Sequence, residues 1–356
     1  MRLLVIGASS TDACGVRDCA SVLEPELREL GAEVETLWWD RLREPSADAW
    51  LKRLRERRAD AVLWHYAPTP YGPHGVPTLA PRVAAAARRA GAVAVPFLHE
   101  LAYDFGRRGW RGFTHAVSQR AALVPVVRAA AGCLVTTEDR LEWLRSRRWL
   151  PARPLAFTPV PANVPSAAGP PARSNGHLRI GVFGFRSGGG VDPGVVVEAV
   201  SAIPDARLVL VGAPGPASPE GRSWLATATD RACALEFTGV LEPEPLAAAL
   251  AGLDIVVSAD PAGPTPRKGS VAAALALGRP VVALDGPSTW RPLVDEGGVV
   301  VAARERLAEA LSDLAASAEL RARSGELGRE FYARTLSARV VAATVLDFVE
   351  LVGGRP

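Results

Sequence analysis

The sequence predicts an α/β protein made of two doubly wound, Rossmann-like domains. Three observations carry that expectation. Short β-branched runs alternate with longer Ala/Leu/Arg stretches, as βαβ units do. The alternation runs twice, on either side of a Pro/Gly/Ser-rich interruption, FTPVPANVPSAAGPPARSNGH (157–177). The chain has 356 residues, more than one ordinary core accommodates.

In the first half, strands are expected at RLLVIGA (2–8), EVETLWW (33–39), AVLWHY (61–66), AVAVPFLHE (92–100) and GCLVTT (132–137), with amphipathic helices over 16–30, 48–58 and 79–90. Thr136-Thr137-Glu138-Asp139 reads as a helix start, a hydroxyl cap followed by acids in the first turn. In the second half, strands are expected at RIGVFGF (179–185), RLVLVGA (207–213), EFTGV (236–240), DIVVSA (254–259), PVVALDG (280–286) and GVVVAA (298–303). Helices fall at 194–203, at 244–252, over the small-residue run before Gly278, and along the tail. The expected division is a first domain over 1–165, a linker over 166–177, a second domain over 178–335 and a closing helix over 336–356. Two such domains would meet across a cleft, with ligands beyond the carboxyl ends of the strands.

Composition excludes several classes. The net charge of +3 is too small to argue for nucleic acid, although residues 1–165 hold 23 Lys and Arg against 17 Asp and Glu. The basic clusters Arg53 to Arg58, Arg88-Arg89, Arg107-Arg108 and Arg145 to Arg148 read as solvated helix faces or as a surface for an anionic membrane or a phosphorylated substrate. Cys14, Cys19, Cys133 and Cys233 form no C-x-x-C pair, which argues against a zinc or disulfide framework and fits a reducing cytoplasm. Arg128, Arg279 and Pro280 interrupt the runs nearest to the roughly 20 apolar residues needed to cross a bilayer. The expected place is the cytoplasm, with peripheral contact at the inner face of the membrane through the basic first domain.

Dinucleotide and P-loop chemistry fit poorly. GASSTDACG and GVFGFRSGGG lack the G-x-G-x-x-G spacing, and in GPTPRKGS the Lys precedes the Gly. TPRKGSVAAALALGRPVVALDG (265–286) is more informative. Gly269 and Ser270 open a helix, where free N–H groups and the dipole attract an anion. Arg267 and Lys268 add positive charge there. The chain has 39 Arg but only two Lys, Lys52 and Lys268. The bland reading is an exposed basic loop before a structural helix.

At this point the chain resembles the retaining glycosyltransferases of the GT-B fold, family 4. GVRDCASVLEPELRELGAEVETL is similar to that family's first loop and helix, PFLHEL to its strand ending in His-Glu, and FTPVPANVP to the stretch entering its linker. IGVFGFRSGGGVDPGVVVEAV, LEFTGVLEPEPLAAALAGLDIVVSA and SVAAALALGRPVVA resemble successive parts of its donor domain. The tail ELRARSGELGREFYARTLSARVVAATVLDFVELV is similar to the closing segment that crosses back to the N-terminal domain, with Phe331, Leu336, Val340, Val345 and Phe348 as packing residues.

The resemblance implies transfer of a sugar from a nucleoside-diphosphate sugar to an acceptor hydroxyl with retained configuration, without a metal or other cofactor. Arg186 matches the arginine after the first donor-domain strand. Arg267, Lys268 and the N–H groups of Gly269 and Ser270 would complete a diphosphate cradle. Gly15 would let the backbone approach the donor, and His99 would face the sugar. Thr238 and Gly239 would lie beside the base. Glu100 would bind an acceptor hydroxyl or neutralise nearby arginines, with His65, Tyr66 and His74 lining the acceptor side or belonging to surface structure. The acceptor would be a small molecule, a glycan or a lipid-linked glycan.

There are departures. The family's two glutamates, with seven residues between them, would fall at Thr265 and Ala273, and the lysine after the Arg186 position would fall within SGGGV. Two alternatives follow: a catalytically silent protein that binds nucleotide sugar or partners an active transferase, and a nucleotide-sugar isomerase or hydrolase.

Overall fold

The computed structural model describes residues 1–11, 14–106, 109–164, 176–183, 191–213 and 215–354. The chain divides into two compact units, Met1–Pro159 with Ala338–Pro356, and Val160–Ser337.

The first unit is a six-stranded sheet in the order β2-β1-β3-β4-β5-β6. Its strands are β1 (Arg2–Ser9), β2 (Glu33–Asp40), β3 (Ala59–Tyr66), β4 (Gly91–Leu98), β5 (Cys133–Val135) and β6 (Leu155–Phe157). Every pairing is parallel. The helices are α1 (Gly15–Glu29), α2 (Asp48–Glu56), α3 (Ala80–Ala90), α4 (Gly109–Ala129) and α5 (Glu138–Arg145). Thr137 caps α5 as the sequence predicts, its hydroxyl accepting from Arg140 N–H at 3.3 Å. The core is rich in aromatics, with Trp39 stacked on Trp50 at 5.9 Å and Tyr66 on Tyr71 at 5.7 Å.

The second unit repeats the plan in the order β12-β11-β10-β7-β8-β9, again with every pairing parallel. Its strands are β7 (Leu178–Phe183), β8 (Ala206–Val211), β9 (Ala234–Phe237), β10 (Ile255–Ser258), β11 (Val281–Leu284) and β12 (Val300–Ala302). The helices are α6 (Pro193–Ser201), α7 (Pro219–Asp230), α8 (Pro243–Ala251), α9 (Gly269–Ala276), α10 (Arg291–Asp295), α11 (Leu307–Ala316) and α12 (Ala318–Phe331). Asp192 and Ser218 cap α6 and α7 through their side chains.

A last helix, α13 (Ala338–Gly353), belongs to the first unit. It packs along α1, buries Val341, Val345 and Phe348, and pairs Arg339 with Glu29 at 3.2 Å. Of the packing positions expected in the tail, only Val340 is half-buried rather than buried. Phe331 and Leu336 lie in the second unit, before the boundary at Ser337.

The structure adds four elements, β6, α4, α7 and α10, that the sequence reading does not contain. It also ends β9 at Phe237, leaving Thr238 and Gly239 in the loop that follows. Most of the expected linker lies outside the described residues. Among the described residues, no helix is long and apolar enough to cross a membrane.

Candidate functional site

In an open parallel sheet, ligands collect where the strand order reverses, beyond the carboxyl ends of the two strands concerned. In the second unit that point lies between β7 and β10. The loop after β10 leads directly into α9, so the stretch singled out from the sequence sits at the switch point. Arg186, which follows β7 in the sequence, lies outside the described residues.

The β10–α9 loop is built as a rigid frame. Pro261, Pro264 and Pro266 fix its φ angles. Neighbouring chain stitches it down through Ser288 N–H to Ala262 C=O (2.8 Å), Trp290 N–H to Pro264 C=O (2.8 Å) and Val160 N–H to Pro266 C=O (3.0 Å). Gly263 has φ +89°, and a Cβ there would stand 2.2 Å from Thr289 Oγ1. Only glycine fits.

Asp260 is the member of this site that the sequence reading missed. Its Oδ1 accepts from Ala262 N–H at 2.8 Å, and its Oδ2 pairs with Lys268 Nζ. Lys268 is therefore an anchored charge, with its side chain 30% exposed and that of Asp260 18% exposed. The signal for Asp260 in the sequence is faint: an Asp two residues before a backbone N–H it can turn back on, in a loop of prolines. Arg267 is exposed.

The start of α9 is only partly available to an anion. Gly269 N–H bonds to Arg267 C=O at 3.1 Å, and Ala272 N–H to Lys268 C=O at 3.0 Å. The N–H groups of Ser270 and Val271 have no acceptor among the described residues. Two buried side-chain oxygens nearby are also unpaired there, Thr265 Oγ1 and Asn163 Oδ1, the latter 3.9 Å from the Cβ position of Gly269. A buried polar atom without a partner carries a cost that a ligand can offset. Behind this end, Val271 to Ala276 are all buried, and α9 ends at Gly278 (φ +62°). Ala273 is 0% exposed. Arg279 donates to Ala251 and Leu253 carbonyls at 3.2 Å each, a structural role.

The loop after β9 is locked by Thr238, whose Oγ1 accepts from Gly212 N–H and donates to Gly239 C=O, both at 3.0 Å. Gly239 has φ +74°, and the neighbouring Val240 is 81% exposed.

In the first unit the strand order reverses between β1 and β3. Gly15 opens α1 there, and a Cβ on it would meet nothing within 4 Å, so close packing does not demand a glycine. His65 and Tyr66 end β3, and His99 follows β4. Contrary to a role lining a solvent-filled cleft, His65 and Tyr66 are 1% and 0% exposed. The reason is local: His65 packs on Phe97 and His99, while Tyr66 joins Trp64 and Tyr71. Burial pushes the His65 imidazole down to about 3 and the Tyr66 phenol upward. His65 Nδ1 and His99 Nε2 are hydrogen-bonded at 3.0 Å. The backbone carrying His99 is held by Arg140, which donates to the His99 carbonyl and to Thr136 Oγ1. Glu100, the next residue, is half-buried, and His74 is exposed.

Cys19, His65 and His99 bring one potential ligand atom each within 4.8 Å of one another, all buried. The ring-to-ring hydrogen bond uses His65 Nδ1 and His99 Nε2 and leaves the buried His65 Nε2 without a partner among the described residues, while burial pushes the Cys19 thiol pKa upward.

Residues 193–317 match the family described as glycosyl transferases group 1. No curated protein matches the chain by sequence. Among solved structures, sucrose-phosphate synthase from Thermosynechococcus elongatus is similar over 100% of both chains at a TM-score of 0.70 and 14% identity. Anabaena Alr3699/HepE, solved with UDP and glucose, is similar over 99% of this chain and 100% of its own, at a TM-score of 0.71 and 13% identity. WaaG, a glycosyltransferase of lipopolysaccharide biosynthesis, is similar over 98% and 99% respectively, at a TM-score of 0.66 and 15% identity. The chain has the GT-B glycosyltransferase fold. The matched residues 193–317 lie in the second unit, which also holds the α9 site.

Proposed function

We propose that the protein transfers a hexosyl group from a nucleoside-diphosphate sugar to an acceptor hydroxyl with retention, binding the diphosphate at the start of α9. The observation that carries this reading is the convergence at one switch point of Lys268, Arg267, free helix N–H groups and two unpaired buried oxygens. The difficult step in such a transfer is departure of the diphosphate as the sugar carbon becomes cationic. Fixed donors aimed at the leaving phosphate stabilise that charge without reorganising, and they do so without a metal. Arg186 joins them on the strength of the resemblance, with the base beside Thr238 and Gly239 against the apolar Val240. His99, hydrogen-bonded to buried His65, is assigned to the sugar on the strength of the resemblance alone, as are Gly15 and Glu100 at the same end of the first unit's sheet. The acceptor is a small molecule, a glycan or a lipid-linked glycan met at the inner face of the membrane in the cytoplasm.

The test is thermal stability with UDP, GDP, ADP, dTDP and their sugar conjugates. A nucleotide at 100 times its dissociation constant stabilises the fold by about 2.7 kcal/mol. Binding by none of them refutes the reading. Turnover of a bound conjugate without acceptor would indicate isomerisation or hydrolysis. One observation favours a second reading, a silent nucleotide-sugar-binding partner: residues 261–284 contain no Asp or Glu, so the two family carboxylates have no replacement in this segment.

A further inference from the structure

Three metal-ligating side chains converge in the core of the first unit. Cys19 lies on the buried face of α1, His65 is the last residue but one of β3, and His99 directly follows β4. They are 1%, 1% and 6% exposed. One ligand atom from each lies within 4.8 Å of the other two. No spacing motif announces them, because the sheet assembles them: β3 and β4 pair in parallel, and His99 N–H continues the ladder to the Tyr66 carbonyl at 2.9 Å.

The two histidines already stand at nearly the spacing of neighbouring ligands on one ion. Their nitrogens are 3.0 Å apart across the ring-to-ring hydrogen bond. With Zn–N of about 2.0–2.1 Å and Zn–S of about 2.3 Å, a tetrahedral ion sets two nitrogens roughly 3.3 Å apart, and a nitrogen and a sulfur roughly 3.6 Å. Exchanging the shared proton for a cation therefore opens the pair by only about 0.3 Å. The hydrogen bond alone leaves His65 Nε2 buried and without a partner among the described residues, so the protein does not fill the polar capacity of this ring.

The surroundings suit a cation. Coordination releases the thiol proton to solvent, and a divalent ion with one thiolate and two neutral imidazoles keeps a single net positive charge. Asp18, next to Cys19, acts electrostatically on that thiol, and half-buried Glu100 follows His99. Phe97 packs on both rings, at 5.3 and 4.5 Å, which holds them in place and keeps the site dry. A thiolate with two imidazoles selects zinc or cobalt(II) over magnesium or calcium.

We infer that Cys19, His65 and His99 form a three-ligand site for a zinc-class divalent ion, which ties α1 to the carboxyl ends of β3 and β4. The inference concerns the first unit alone and does not depend on the transferase reading.

The test is titration of the full chain, freed of any affinity tag, with cobalt(II). Thiolate ligation appears as a near-ultraviolet charge-transfer band, and tetrahedral geometry as strong visible bands. The expected result is saturation at one ion per chain with both signatures, and a melting temperature that climbs with cobalt concentration. Cys19→Ala should abolish the charge-transfer band, and both it and His65→Gln should weaken binding about 100-fold or more, since losing a group behind a ligand already costs about 10- to 100-fold. Cys14→Ala, at the half-buried neighbouring thiol, should leave band and affinity unchanged. Should the core variants fail to fold, X-ray absorption of the zinc-loaded parent decides, with one sulfur at about 2.3 Å beside nitrogen neighbours expected. No cobalt uptake by the parent, or a zinc shell without sulfur, would overturn the proposal. So would undiminished binding by Cys19→Ala or His65→Gln, or a band lost in Cys14→Ala instead.

Discussion

Replacing Lys268 with Met separates the two roles that the α9 site gives this residue. In the folded protein, Lys268 neutralises Asp260, whose side chain is only 18% exposed. Exposed pairs contribute about 0.2–1 kcal/mol, and breaking a fully buried one costs about 3–5. A pair with its partners 30% and 18% exposed lies between those limits, so Lys268→Met should cost about 1–2 kcal/mol. For a unit of this size that lowers the melting temperature by roughly 3–6 °C. Asp260→Asn in the same chain should recover most of the loss, because Asn keeps an oxygen for the Ala262 N–H now held at 2.8 Å and removes the stranded charge. Nucleotide binding should behave differently. Loss of a charge-assisted bond to a phosphate is worth about 1.5–3 kcal/mol, a roughly 10- to 150-fold weaker dissociation constant, and Asp260→Asn does not restore it. The assay is differential scanning calorimetry of the parent, Lys268→Met and the double variant, with and without the nucleotide that stabilises the parent. If Lys268→Met melts early but keeps the full nucleotide shift, Lys268 is a structural staple and the cradle reading fails. If the double variant stays as unstable as the single one, the ion pair is not what Lys268 contributes to folding.

Other outcomes follow from the same geometry. Ala273→Glu, which puts back one family carboxylate at a fully buried position, should cost about 3–5 kcal/mol in urea unfolding; near-neutral stability would mean that α9 opens to admit it. Gly263→Ala should cost about 1–3 kcal/mol and weaken nucleotide binding, since its Cβ would meet Thr289 at 2.2 Å. Gly269→Ala meets only Asn163 Oδ1, at 3.9 Å, and should change stability by less than about 0.5 kcal/mol; the two glycines responding alike would refute the frame described for this loop. His65 makes the protein acid-sensitive. Its folded value is pushed down to about 3, below an unfolded value near 6.5, so the unfolded chain takes up the proton first. Stability is full above that unfolded value and falls as the pH drops toward 3, by about 2 kcal/mol at pH 5 relative to pH 8. Urea midpoints at the two values check this, and an unchanged slope in His65→Gln would assign the sensitivity elsewhere.

The sheets were legible because central parallel strands are buried on both faces and read as continuous apolar runs. VVAL of β11 and LVLV of β8 leave little else to be. The same property hid the fate of His65 and Tyr66. On a strand covered on both sides, alternation does not say which residue reaches solvent, and both of the last two residues of β3 are buried. Strand β6 is three residues long, LAF, with Pro154 just before it and Pro159 just after, too short to show a period. Helix α4 escaped because its outer face is apolar, which erases the periodicity that marks a surface helix. Lys268 stood out by composition alone. Asp260, eight residues earlier, did not, because only the folded loop brings its carboxylate to the lysine.

The charge inventory of the site leads to one more expectation. From Pro261 to Leu284 there is no Asp or Glu, and Asp260, just before this stretch, is already committed to Lys268 and the Ala262 N–H. What remains for a ligand in this segment is Arg267, Lys268, the Ser270 and Val271 N–H groups, and the neutral oxygens of Thr265 and Asn163. All of the positive groups serve phosphate; a sugar hydroxyl needs acceptors, and the α9 end offers only the two neutral ones. On the proposed reading, binding energy is therefore concentrated on the diphosphate. A free nucleoside diphosphate and its sugar conjugate should then bind within about threefold of each other, a difference under about 0.7 kcal/mol. Titration calorimetry of the two ligands against one preparation measures this ratio. A conjugate preferred by a hundredfold would show that another element supplies the missing carboxylate chemistry, and the argument from α9 alone would fall.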